Sequence, residues 1–109
     1  MLFLGDVSEF SVSELIDWVA KEFQVDRRDL ENYDFIVASV EEEQYESNSF
    51  FLIRNRETGE YYEVNAGHCS CMGYEDQWVP KIASTAYLLS PQYKPLRKEV
   101  QDFVRSLFN

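Results

Sequence analysis

His68, Cys69 and Cys71 are the side chains best suited to chemistry in this 109-residue chain, and they fall on one stretch, residues 65–78, that holds the only histidine, both cysteines and two of the four glycines. Two chemistries need such residues. A zinc ion would take His68, Cys69 and Cys71, with Glu75 or Asp76 as a fourth ligand. The spacing argues against it, because structural zinc sites draw on two separated pairs of ligands and here every candidate sits on a single turn. Thiol catalysis would need a base and a lowered thiol pKa, and His68 is the only imidazole available to Cys69 or Cys71. Glu75 and Asp76 nearby would raise a thiol pKa rather than lower it. Gly67 and Gly73 are too far apart for a phosphate-binding loop and bring no lysine. No catalytic residue, no resident cofactor and no metal site is therefore expected, with zinc at His68, Cys69 and Cys71 kept as the alternative.

The same stretch carries a pattern of its own: Gly67-His68-Cys69-Ser70-Cys71, then Gly73, Glu75, Gln77, Trp78 and Pro80. It resembles a group of small, uncharacterised, often phage-encoded proteins in which a strand ends in this motif and a helix follows. The resemblance covers about a quarter of the chain. It implies a phage or mobile-element origin and carries over no catalytic role. The motif loop of interest is thus His68, Cys69, Cys71, Glu75, Gln77 and Trp78. Tyr74 and Trp78 are either anchors of this loop on a sheet or, if exposed, anchors of an interface.

The charge is placed as unevenly as the reactive residues. Residues 1–48 hold thirteen of the twenty acidic side chains against three basic ones, whereas residues 49–109 hold seven of each, so the first half carries all of the net charge of −10. Such a field repels phosphate backbones and attracts cations. Direct nucleic-acid binding is not expected; a host protein with a basic surface is. Glu14, Asp17, Asp26, Asp29, Glu31, Glu41, Glu42, Glu43 and Glu46 are the candidate partner-binding residues, a set that would imitate a row of phosphates. A solvated, solubilising surface is the plainer account of the same charges.

The elements that must position these residues follow from periodicity. One domain, 1–109, is expected at this length, with a core drawn from 8 Phe, 7 Tyr and 2 Trp. Ser11 and Glu14 form a capping-box pattern ahead of Val12, Leu15, Ile16, Val19 and Phe23, which predicts a helix over 12–24. Asp26 predicts the start of a second helix reaching Tyr33, anchored by Leu30. Residues 35–40, 50–55 and 60–65 read as strands, with Ser47-Asn48-Ser49 as a turn, Glu41 to Glu46 projecting beyond the sheet, and Gly59 closing a hairpin. Ile82, Thr85, Ala86 and Leu89 give a weak helical pattern after Pro80, and Leu96, Val100, Phe103, Val104, Leu107 and Phe108 a strong one. The fold class expected is α+β, a three-stranded antiparallel meander packed against N-terminal and C-terminal helices.

No apolar run reaches membrane-spanning length, and residues 1–4 lack the basic leader of a signal peptide, so a cytoplasmic protein of a bacterial host is expected, with its thiols reduced. Two functional readings stay open. The preferred one is a small acidic protein-binding protein that inhibits a host nucleic-acid-handling protein. The other is a metal-binding or thiol-chemistry protein centred on the loop from His68 to Cys71.

Overall fold

The computed structural model describes residues 1–43, 46–69, 73–95 and 97–108, leaving the side chains of Glu43 and Cys69 outside the description. The chain is α+β, built on a mixed five-stranded sheet in the order β1-β2-β3-β4-β5. The strands are β1 (Leu2–Gly5), β2 (Tyr33–Glu43), β3 (Glu46–Asn55), β4 (Tyr61–Cys69) and β5 (Lys81–Ile82). The helices are α1 (Val12–Phe23), α2 (Arg27–Leu30), α3 (Thr85–Leu88) and α4 (Lys98–Leu107).

α1 forms where its apolar spacing places it. The Ser11 hydroxyl accepts from the Glu14 amide while the Glu14 carboxylate accepts from the Ser11 amide, closing the capping box. Leu15, Ile16, Val19 and Phe23 are buried as one stripe. α2 is a single turn capped by Asp26 and anchored by Leu30. It ends three residues before Tyr33 because Tyr33 already pairs with Asn55 in the sheet.

The three-stranded antiparallel expectation needs correction. β2, β3 and β4 do form an antiparallel meander, but β1 adds to its β2 edge in parallel, through the crossover that contains α1 and α2, and β5 adds at the β4 edge. The strands are also longer than expected. Ser47, Asn48 and Ser49 are not a turn: they pair with Glu42, Glu41 and Val40 on one side and with His68, Gly67 and Ala66 on the other. Glu41, Glu42 and Glu46 accordingly lie in the ladder rather than beyond the sheet, because backbone pairing on β3 outweighs the polarity of the side chains. The proline-led helix over 82–89 shortens to α3, capped by the Ser84 hydroxyl, with Ile82 in β5 instead.

Helices cover both sheet faces, so the central strand reads as an unbroken apolar run, with Phe51, Leu52 and Ile53 all fully buried. One face, against α1, holds Phe35, Ala38, Val40, Phe51, Ile53 and Val64. The other, against α3 and α4, holds Val37 and Leu52 with Ala83, Leu88, Tyr93, Val100 and Val104. A bulge between Phe35 and Val37 makes this division possible. Strict alternation would place both residues on one face; the extra residue, Ile36, resets the phase and sends Val37 to the α4 side. Among the described residues no helix is long and apolar enough to cross a membrane.

Candidate functional site

The acidic residues singled out by composition are divided by the fold. The strand register places Glu42 on the α1 side of the sheet and Glu41 and Glu46 on the α4 side. Several are engaged within the molecule. Asp17 and Glu31 both pair with Arg27, Asp26 with Arg28, and Glu41 with Arg97. Glu14 is committed to its capping box, and the hydrogen bonds from Ser11 hold its carboxyl below the usual range; the Arg28 side chain and amide do the same for Asp26. Asp29, Glu42 and Glu46 are exposed and make no ion pair among the described residues, as do Asp6, Glu9 and Glu22. Glu43 pairs with Glu46 in the backbone ladder at the hairpin end.

The described part of the motif loop, residues 73–80, crosses the α1 face and leads into β5. Tyr74 is 3% exposed, stacks on Phe23 with centroids 4.8 Å apart, and shares a hydrogen bond with the Ser47 hydroxyl. Trp78 packs edge-on to Phe23 and Phe51 at 5.4 and 5.5 Å. These two aromatics anchor the loop. Gln77 staples it: its carbonyl oxygen accepts from the Gly67 amide at 2.9 Å, and its amide nitrogen donates to the carbonyls of Gly67 and Gly73 at 2.7 and 2.8 Å. Glu75 is exposed, and His68 lies exposed on β4 with its ring 5.3 Å from that of Tyr74. Cys71 and the Cys69 side chain lie outside the described residues; among those described there is no cluster of metal-ligating side chains.

A Gln77→Ala variant tests this staple. Three hydrogen bonds are lost, two of them at exposed Gly67 where water can replace them, which costs about 1 kcal/mol. Amide exchange at Gly67 should quicken more than at Val64 in the same strand. Equal rates in the variant and the parent would show that the staple does not hold the loop.

The α4 side of the sheet carries a feature that no motif announced. α3 and α4 cover the ladder row Val37-Leu52-Glu63, but the next two rows, Ser39-Phe50-Asn65 and Glu41-Asn48-Gly67, floor an open cleft of ≈ 540 Å³. Its walls come from Tyr87, the connector Tyr93–Pro95, Arg97 and Val100. This volume is within the range of small-molecule sites. At one end, burial pushes the Glu63 carboxyl up. Beside it Tyr93 is 2% exposed, and its buried hydroxyl lies close enough to the Glu63 carboxylate to draw that carboxyl part of the way back down. Burial first, then the charge of Glu63, pushes that phenol up as well. The Ser49 hydroxyl, buried and without a hydrogen-bond partner among the described residues, belongs to the α1 face by register.

Sequence reasoning missed the cleft because its parts lie on three strands and a connector far apart in the chain. The available signal was alternation: Ser39 and Glu41, Asn48 and Phe50, Glu63 and Asn65 occupy every second position of strands whose opposite face is apolar. Compared with models of protein families, with curated proteins and with solved structures, the chain matches none.

Proposed function

We propose that this chain is a small acidic protein-binding module, phage or mobile-element encoded, that docks on a basic, nucleic-acid-handling surface of a host protein and inhibits it by presenting carboxylates where phosphates would sit. The observation that carries this reading is the charge left over after internal pairing. In residues 1–48 the arginines are occupied by Asp17, Asp26 and Glu31, while Asp6, Glu9, Glu22, Asp29, Glu42 and Glu46 remain exposed without an ion pair among the described residues. Folding therefore leaves the asymmetry of the sequence uncompensated at the surface. The reading needs no catalytic group and no cofactor. It also gives the motif loop a part: anchored by Tyr74 and Trp78 on Phe23, it braces the helix that bears Glu14, Asp17 and Glu22.

Competition tests it. A DNA oligonucleotide should displace the protein from its partner, because both would occupy one cationic surface. The triple variant Asp29→Asn, Glu42→Gln, Glu46→Gln should bind that partner about tenfold or more weakly, with the fold intact. Binding that ignores both the oligonucleotide and the three neutralised carboxylates would overturn the reading.

A further inference from the structure

We propose that the outer edge of β1 receives an extended, lysine- or arginine-bearing segment of a partner protein as a sixth strand of the sheet. The basic character of that segment rests on the protein-binding reading; the edge itself does not. The sheet ends at β1, whose inner side is paired to β2 over residues 2–5. The Asp6 amide donates to the Val40 carbonyl, and a strand in a parallel pair bonds its neighbour through every second residue. Leu2 and Leu4 therefore turn their N–H and C=O groups to β2, while Phe3 and Gly5 turn theirs away from it. The Gly5 carbonyl accepts from the Ser8 amide, but the Gly5 amide and both backbone groups of Phe3 have no partner among the described residues. The strand is held ready for pairing. Phe3 packs against the α1 core and Leu2 and Leu4 against the α4 core, so β1 is clamped from both faces and a strand added to it meets a partner already ordered.

The two edges of the sheet are not guarded alike. β5 is two residues long, follows Pro80 and carries Lys81, three features that discourage strand addition. β1 has neither proline nor charge over residues 2–5 and pairs with β2 in unbroken register. Such an edge is a template for strand addition, in which main-chain hydrogen bonds supply affinity and alternate side chains supply specificity. Charge selects the occupant. Residues 1–11 and β2 contain no lysine or arginine, but they hold Asp6, Glu9, Asp34, Glu41, Glu42 and Glu43. Arg56 and Arg97 reach Asp34 and Glu41, whereas Asp6, Glu9 and Glu42 are exposed and make no ion pair among the described residues. A basic segment along β1 would therefore meet uncompensated carboxylates. A second copy of this chain would bring the same carboxylates against one another, which makes self-pairing the disfavoured occupant.

The test uses the whole protein at low salt, with an acetylated and amidated peptide of four Lys-Val repeats as probe, and reads backbone amide shifts and hydrogen exchange by NMR. Shifts should centre on residues 2–6 and Val40, and exchange at the Phe3 and Gly5 amides should slow at least fivefold. Phe3→Pro removes the outward N–H and no carboxylate, and should weaken binding at least tenfold; proline is tolerated on an edge strand where its nitrogen faces away from the ladder. Phe3→Ala loses the same ring but keeps the amide, and should weaken binding less than about threefold. The double variant Asp6→Asn, Glu42→Gln should weaken it several-fold. Unchanged exchange at Phe3 and Gly5, equal affinities of the two Phe3 variants, or pairing of β1 with a second copy of the chain would each overturn the proposal. The exchange measurement is made on the unaltered protein, so a variant that fails to fold cannot mask the result. Equal affinities of the two Phe3 variants, together with loss of binding in the Asp29→Asn, Glu42→Gln, Glu46→Gln protein, would sink the edge and leave the protein-binding reading standing; that reading fails separately, in the oligonucleotide competition.

Discussion

Phe23→Ala is expected to lower the melting temperature by about 15 °C or more and to leave the protein close to unfolding at body temperature. Phe23 is the hub of the α1 core. Its ring lies 4.8 Å from that of Tyr74, 5.4 Å from Trp78, 5.8 Å from Phe51 and 6.3 Å from Trp18. Truncating a buried phenylalanine to alanine costs about 3–5 kcal/mol, against a typical total stability of about 5–15 kcal/mol. Here the cavity would open between helix, sheet and motif loop together, so collapse from one side cannot close it. Phe23→Leu should cost under about 2 kcal/mol, since much of the volume is kept. Tryptophan fluorescence in a thermal or urea melt reads the change directly, because Trp18 and Trp78 both border Phe23. A shift below about 4 °C for the alanine variant would mean that the loop and helix are held by something other than this contact.

Gly5→Ala is expected to cost about 3 kcal/mol although the residue is exposed. Gly5 sits at φ +70°, where an L side chain is strained by about 1–2 kcal/mol. A Cβ there would overlap the Val40 carbonyl oxygen and lie 2.9 Å from its carbon. That carbonyl is fixed, since the Asp6 amide donates to it at 2.8 Å and Gly5 is the last residue of β1 paired to β2. Neither side can yield without parting the parallel pair. Gly67→Ala is the natural comparison: its Cβ would meet Asn48 Oδ1 at 3.6 Å, an ordinary contact, and the change should be nearly neutral. Chemical denaturation of the two variants, with amide exchange at Asp6, separates them. Equal stabilities would show that β1 does not depend on the close approach at Gly5.

Local signals carried much of the fold into view. The Ser11 and Glu14 box, the stripe from Leu15 to Phe23, the Asp26 cap and the Val100 and Val104 face of α4 all act within one or two turns, so spacing reveals them. Gly59 is in the left-handed region at the hairpin, as its sequence setting predicts. What stayed hidden depends on distant backbone. Residues 2–5 are a strand only because β2 lies beside them, and the ladder holds polar stretches such as residues 46–49 in register whatever their propensity. The bulge at Ile36 leaves no mark in composition, yet it decides which residues reach α4. The cleft was hidden for the same reason, since Glu63 and Tyr93 meet only after the chain has passed over one face of the sheet and returned on the other. The motif loop was legible as a unit. Its Gln77 staple and the Phe23 anchor point were not, because both depend on where the loop folds back.

The most direct test of the protein-binding account is affinity capture of the tagged protein from nuclease-treated bacterial lysate, at low and at high salt, beside the Asp29→Asn, Glu42→Gln, Glu46→Gln variant. The account predicts one retained nucleic-acid-handling protein that is released as salt screens the exposed carboxylates and is largely absent from the variant's capture. Retention that survives high salt and is equal for both proteins would contradict it.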